Sequence, residues 1–334
     1  MKIGIKEISE KSGFSIATVS NVLNGKSGVN EKTAKLIMKI ANESGYIDSK
    51  KVKKVRLILY KKHGKILDDT PFFSVLFDGL EKGCKENNLK LEISTLNETS
   101  ADYDMILNEI KRDTSTGNIL LATEMFEEDM EKFSGVTAPM VVIDNFFAEF
   151  PYHSITTENE KSAYRAVKYL AEKGHKKIGF VNSLVAIDNF KMREKGYRQA
   201  LKETGLTEGF NYRIDVSPTM EGAYQDMKAY LKENQNLPTA FFVVNDMISL
   251  GVIKALKEAG MKIPRDISMV GFDDLPYSAI ASPGLTTVKV HKAEMGKIAV
   301  NMLVNKLGPV DVALNIQIST SFVERESAVE IGEL

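Results

Sequence analysis

The chain has 334 residues, 43% of them hydrophobic and 27% charged, an ordinary globular composition with room for a small head and a body of two lobes. Its single cysteine, Cys84, excludes an intrachain disulfide or a cysteine-based metal site, and without an apolar leader or a run near 18 apolar residues the expectation is a cytoplasmic protein that does not span a membrane. The net charge of −1 hides an asymmetry: residues 1–56 hold 12 Lys+Arg against 5 Asp+Glu, a net of +7 that leaves −8 for the rest, as expected of a phosphate-binding head on a soluble carrier.

From Ile5 to Gly25 the chain reads IKEISEKSGFSIATVSNVLNG. Ile5 and Ile8 lie one helical turn apart, and Phe14, Val19, Val22 and Leu23 form a second apolar stripe, so two short helices should face each other. Ser12, Gly13 and Phe14 leave room only for a tight turn, for which Gly13 supplies positive φ. Ser15 is placed to cap the second helix by accepting from the N–H of Ala17 or Thr18. A third helix opens at Asn30, with Glu31 at its positive end, carries Leu36, Ile37, Ile40 and Ala41 inward, and ends at Gly45. The pattern predicts a helix-turn-helix whose second helix presents Ile16, Ala17, Ser20 and Asn21. Ile16 and Ala17 suit apolar contacts such as thymine methyls, and Asn21 suits a base edge. Thr18, Ser20, Asn24 and Thr33 are placed to hold backbone phosphates. A plain three-helix bundle with a wet polar face fits the spacing too, but the local charge favours DNA.

From Val55 onward short apolar runs alternate with amphipathic helices. The expected strands are 55–60, 89–94, 118–122, 139–144, 177–182, 239–245, 267–272 and 285–290, and the helices between them include 72–88, 160–173, 192–204 and 246–259. This alternation implies parallel sheets covered by helices on both faces. A weak likeness between the stretches beginning at Ala163 and Phe77 suggests two similar halves with a cleft at their strand ends. Asp144, Asn245, Asp246, Asp273 and Asp274 fall at those ends, and Arg193 lies near a helix start. Each Asp or Asn is equally suited to cap the next helix; together with Arg193 they suit the hydroxyls of a sugar, with Phe72, Phe73 and Phe190 to stack on it or to fill the core. Cys84 reads as a half-buried structural thiol. His63 and His153 read as surface residues, His175 follows a helix and His291 a strand. They show no metal-ligand spacing, and neither a dinucleotide fingerprint nor a P-loop occurs, so no enzyme, metal or cofactor is expected.

On these residues the chain resembles the transcriptional regulators of the lactose and galactose repressor (LacI/GalR) family. The likeness is carried by ATVSNVLNG from Ala17 and VNEKT from Val29 in the head. In the body GHKKIGFV, REKGYRQAL, PTAFFVVND, IPRDISMVGFDD, SPGLTTV and VERES follow in order from Gly174 to Ser327. The resemblance implies an all-α helix-turn-helix headpiece on an α/β, periplasmic-binding-protein-like body of two Rossmann-like lobes. The chain would cross between the lobes three times, with residues 55–157 and 290–318 in the first lobe. It also implies effector contacts at Phe72, Phe73, Asp144, Asn189, Arg193, Asn245 and Asp273, with Phe190 beside them. The expected divisions are a head at 1–48, a basic linker at 49–54 and a body at 55–334.

Three features depart from the family pattern. Family members place an ordered hinge helix after the head, whose leucine wedges into the minor groove; here the segment is shorter by about two turns, and only Val52 or Val55 could substitute. Lys50, Lys51, Lys53 and Lys54 are expected to hold phosphates instead, or to form a plain flexible linker. The loop from Lys61 to Thr70 is long, and either shapes the effector pocket or lies on the surface. Ile187 stands where purine-binding relatives carry arginine, so a purine loses support and a sugar or sugar phosphate gains it. The resulting expectation is a repressor that reads a palindromic operator as a homodimer, without the heptad tail of tetrameric relatives, and answers to a small carbohydrate. The alternatives are control by a partner protein such as a phosphocarrier, or a sugar-binding transport component, against which the head and the missing leader argue.

Overall fold

The computed structural model describes residues 4–23, 29–44, 52, 54–68, 71–206, 211–304 and 312–332. In the head, α1 (Ile5–Ser12), α2 (Ile16–Leu23) and α3 (Glu31–Glu43) close around Ile8, Val19, Ile37 and Ala41, with Ile5, Phe14, Val22, Leu23 and Ile40 packed at the edge. The two apolar stripes therefore meet. Gly13 takes φ +73° and donates its N–H to Ser9, while the Ser9 hydroxyl donates to the Phe14 carbonyl at 2.6 Å, which locks the turn. Ser15 Oγ accepts from the Thr18 N–H at 3.1 Å, and Asn30 Oδ1 from the Lys32 N–H at 2.8 Å, so both caps form. Leu36 corrects the expectation: it is 45% exposed, because the buried face of α3 is set by Ile37 and Ala41, and Leu36 lies a quarter-turn off it. Gly45 lies outside the described residues.

The body contains two six-stranded sheets. The first holds β1 (Lys54–Lys61), β2 (Lys90–Asn97), β3 (Gly117–Leu121), β4 (Met140–Ile143), β5 (His153–Thr157) and β11 (Asn315–Ile318), in the order β11-β5-β4-β3-β1-β2. The second holds β6 (Ile178–Ser183), β7 (Arg213–Val216), β8 (Ala240–Val243), β9 (Ser268–Asp273), β10 (Thr286–Lys289) and β12 (Ser321–Val323), in the order β12-β10-β9-β8-β6-β7. Every residue of β3, β4, β8 and β9 is buried, as strands covered on both faces require. Pairing is parallel except where β12 runs antiparallel to β10. Strands β5 (HSITT) and β7 (RIDV) have no continuous apolar run, which is why the sequence pattern misses them.

The chain passes between sheets three times: from β5 into α6 (Asn159–Glu172), from β10 into α11 (Lys292–Val304), and from β11 to β12. Helix α11 packs on α4 (Phe72–Glu86), and α6 packs on α7 (Asp188–Thr204). The approach is close enough to need glycine: a Cβ on Gly79 would lie 2.0 Å from the Ala293 carbonyl, and one on Gly196 2.0 Å from the Glu160 carbonyl. The lobes repeat one topology, but the internal likeness suggested from Ala163 and Phe77 pairs non-equivalent elements. The first stretch is α6–β6 and the second α4–β2, whose counterpart in the other lobe is α7–β7.

His153, expected at the surface, is only 5% exposed; it lies in β5, and its Nδ1 accepts from the Leu314 N–H at 2.9 Å. Cys84 is buried on α4, and burial pushes its thiol up to about 11. No helix among the described residues is long and apolar enough to cross a membrane, and none of their His, Cys, Asp and Glu side chains form a metal-holding group.

Asp246, at the start of α9 (Asp246–Glu258), fastens the second lobe. Its buried carboxylate accepts from the Ser278 hydroxyl at 2.6 Å, the Leu275 N–H at 3.1 Å and the Thr287 hydroxyl at 2.7 Å. Burial and the nearby Asp273 push it up to about 7, so between roughly pH 4 and pH 7 the folded protein holds a proton that the unfolded chain releases. This contribution to stability is full below about pH 4 and is lost as the pH rises to about 7. Asp246→Asn, which cannot ionise, should therefore cost less stability at pH 8 than at pH 5, by on the order of a few kcal/mol in urea unfolding. Equal costs at the two pH values would contradict this assignment.

Candidate functional site

The residues expected to bind a ligand converge. Phe72 and Phe73 open α4 after β1; Asp144 follows β4; Asn189, Phe190 and Arg193 lie on α7 after β6; Asn245 follows β8; and Asp273 ends β9. All eight line one cavity between the lobes, at the carboxyl ends of the strands, together with Ile66, Thr123 and Ile187. Helix α7 begins four residues earlier than expected, at Asp188, which places Asn189, Phe190 and Arg193 on one inward-facing turn.

Arg193 organises the site. Its Nε donates to Asn159 Oδ1 at 2.9 Å, Nη1 to the Val244 carbonyl at 2.7 Å, and Nη2 to Asp273 Oδ1 at 3.3 Å. The guanidinium lies 3.7 Å from the Phe272 ring centre and 5.6 Å from that of Phe190. Burial pulls Arg193 down from its ordinary range, and Asp273 and Asp144 oppose that pull. Burial raises Asp273 too, against Arg193 and Lys292. Asp144 is pushed up to about 6 by burial, although Thr123 donates to it at 2.7 Å. Asp144 and Asp273 hold φ values of +69° and +118°, strained for residues with a Cβ, and this turns both carboxylates into the cavity at their strand ends.

Two polar contacts bridge the lobes at the cavity. Asn189 Nδ2 donates to the Asp144 carbonyl at 3.3 Å, and the ammonium of buried Lys292, at the start of α11, donates to the Asp273 carbonyl. Lys292 also lies 5.1 Å from the Phe72 ring centre, and Phe72 meets Phe73 edge-on at 5.1 Å. The free space is about 30 Å³, far below the roughly 300–1,000 Å³ of ligand sites, so the lobes must part for a ligand to enter.

The capping alternative holds for some strand-end residues. Asn245 Oδ1 caps α9 through the Ile248 N–H at 2.9 Å, leaving its amide nitrogen for a ligand. Asp246 is structural, and Asp274 pairs with Arg325 at 2.6 Å; neither lines the cavity. The sequence reading missed Ile66, Thr123, Asn159 and Lys292. Thr123 ends an apolar run and was detectable; Lys292, on a polar-looking helix start, carried no signal.

On the head, Ile16 is 49% exposed and Ala17 is exposed, while Thr18, Ser20, Asn21 and Thr33 are half-buried on the rim. The Thr18 hydroxyl lies 2.9 Å from that of Ser15. Asn24, Lys50, Lys51 and Lys53 lie outside the described residues. Lys54 is not linker: it begins β1 beside β2, and its ammonium lies 2.9 Å from Glu92. Neither candidate wedge is free. Val55 is fully buried in β1, and Val52 packs on the body, 3.0 Å from where a Cβ on Gly117 would stand and next to Leu303.

Comparison with known proteins agrees with this architecture. Residues 4–49 match the model of bacterial regulatory proteins, lacI family, and residues 167–328 that of the periplasmic binding protein-like domain. The chain is 28% identical to the ribose operon repressor of Haemophilus influenzae, over 97% of this chain and 98% of that protein. It is also 28% identical to the HTH-type transcriptional repressor PurR of the same species (strain PittEE), over 98% and 99%. Among solved structures, the complex of the transcriptional regulator CelR with cellobiose superposes with a TM-score of 0.74 at 21% identity, covering 98% of this chain and 100% of that one. The chain thus joins a LacI-family helix-turn-helix head to a two-lobed periplasmic-binding-protein-like body, and the curated relatives it resembles are transcriptional repressors.

Proposed function

We propose that this chain is a transcriptional repressor that binds a palindromic operator as a homodimer and whose operator affinity is set by a small neutral carbohydrate held between its lobes. The observation that carries this reading is the cavity, where two carboxylates, two amides and a guanidinium from both lobes meet aromatic walls. Such a set matches the hydroxyls and apolar face of a sugar ring. One relative is named a ribose operon repressor, and Ile187 favours a sugar over a purine: an apolar wall offers a purine no hydrogen bond. A sugar phosphate fits less well than a neutral sugar, because Arg193 is already engaged by Asn159, Val244 and Asp273 and two aspartates face the ligand. Control by a partner protein gains nothing from this cavity. The relatives are repressors, and we read the chain as a regulator rather than an enzyme.

The roles assigned to single residues follow from this reading. Ile16, Ala17 and Asn21 read bases, and Thr18, Ser20 and Thr33 hold phosphates, with Asn24, Lys50, Lys51 and Lys53 assigned to phosphates from the sequence alone. The division is a head at 1–48 and a short linker leading to β1. Two heads on one dimer imply a two-fold-symmetric site.

A thermal-shift screen of the purified protein against neutral sugars, sugar phosphates and purines tests the effector. A neutral sugar at a hundredfold excess over its Kd adds about 2.7 kcal/mol and raises the melting temperature of a chain this long by roughly 4 °C. A response to purines alone, or to none of the compounds, contradicts the carbohydrate reading, and a complete blank favours the partner-protein alternative. With Val52 and Val55 both committed to the body, the operator should lack a sharp central kink in a bend-angle measurement by circularly permuted fragments. A strong kink at the centre of symmetry would overturn this.

A further inference from the structure

The loop after β1 is built around a buried anion. Glu124, three residues past the end of β3, is 1% exposed. Its Oε2 accepts from the backbone N–H groups of Lys62, His63 and Gly64 at 3.0, 3.1 and 2.9 Å. Its Oε1 accepts from those of Ile66 at 2.9 Å and Leu67 at 3.4 Å. Successive backbone N–H groups turned inward make a concave anion site, and here a side chain of the protein itself occupies it. Gly64 takes φ +71°, Asp68 N–H closes back on the Gly64 carbonyl at 3.0 Å, and Lys61 pairs with the Asp68 carboxylate, so the loop is closed at its base. Its apex presents Ile66, almost fully buried, to the cavity that Phe72, Phe73, Ile187 and Phe190 also line.

We propose that Glu124 is a positioning residue for the effector site: by fixing the 62–67 loop it holds Ile66 in the cavity and limits the ligand to a single sugar ring. This rests on the carbohydrate reading above and names the size class within it. Thr123 and Glu124 divide the work at the end of β3. Thr123 faces the cavity and holds Asp144, while Glu124 faces away and holds the loop. With Ile66 held in the wall by the Glu124-anchored loop, the lobes close on a ligand against a fixed apolar side chain, which takes up space a second ring would need. Through Ile66 the loop lines the cavity rather than lying only on the surface.

The test uses the full-length protein, its Ile66→Ala and Glu124→Gln variants and the double variant, titrated calorimetrically with monosaccharides (ribose, glucose, galactose) and disaccharides (cellobiose, lactose). The wild type should bind a monosaccharide and no disaccharide. Each single variant should bind that monosaccharide at least tenfold more weakly and shift the disaccharide-to-monosaccharide ratio of affinities at least tenfold. The double variant should be no worse than Ile66→Ala, since Glu124 acts through Ile66. Far-ultraviolet circular dichroism and a cooperative melting transition in each variant show that the fold survives. Unchanged selectivity in both variants, or a wild type that prefers disaccharides, overturns the proposal. Amide hydrogen exchange gives a readout that needs no ligand: the Ile66 and Leu67 amides should exchange at least tenfold faster in Glu124→Gln. Unchanged exchange overturns the role of Glu124 whatever the ligand is. If exchange quickens but no sugar binds any form, the carbohydrate reading falls, and the size limit with it.

Discussion

The site depends on keeping one guanidinium charged in the protein interior. Arg193 is tolerable there because the start of α6, the end of β8 and the end of β9 each give it an acceptor, and the Phe272 ring covers its face. Removing one partner of such a buried group costs about 3–5 kcal/mol, because the remaining charge is left without compensation. The wall of the cavity in the second lobe is therefore preorganised before any ligand arrives. The same bonding bears on what the site prefers: three of the five Arg193 donors that would grip a phosphate are spent on the protein, and the two aspartates beside it face the ligand.

The lobes meet through groups that also face the ligand. Asn189 reaches the Asp144 carbonyl and Lys292 the Asp273 carbonyl, so occupancy of the cavity and the arrangement of the lobes are parts of one equilibrium. Helix α11 begins at this contact, and near its other end Leu303 lies beside Gly117 and Val52, where the chain arrives from the head. About 20 Å of regular helix thus separates the ligand site from the linker anchor. A ligand that favours one lobe arrangement shifts operator affinity by its differential affinity for the two states, and by no more.

Much of this was legible in the sequence because it rests on periodicity and local chemistry. The head could be read from two apolar stripes, a glycine turn and two caps. The parallel sheets could be read from short buried runs, and of the cavity-lining residues Asp144, Asn245 and Asp273 from their places at strand ends and Arg193 from a helix start, whereas Asn189 came only from the family resemblance. What failed did so for physical reasons. Leu36 was misplaced because adjacent apolar residues do not say which one faces inward. His153 was misread because β5 is buried without being apolar. Lys54 was given to DNA because nothing local reveals that β1 starts one residue sooner, and Val52 stood as a candidate wedge because nothing local reveals that Gly117 leaves space for it. Glu124 and Lys292 were missed because the groups that hold them are distant in sequence, the backbone of residues 62–67 for one and the end of β9 for the other.

The central claim is that a sugar in this cavity and an operator on this head are thermodynamically coupled. The most direct measurement is the affinity of the full-length protein for its operator at zero and at saturating sugar, paired with its affinity for the sugar with and without operator. The account predicts that both affinities change by the same factor, about 5–150-fold. A sugar that binds tightly between the lobes and leaves operator affinity unchanged would contradict it.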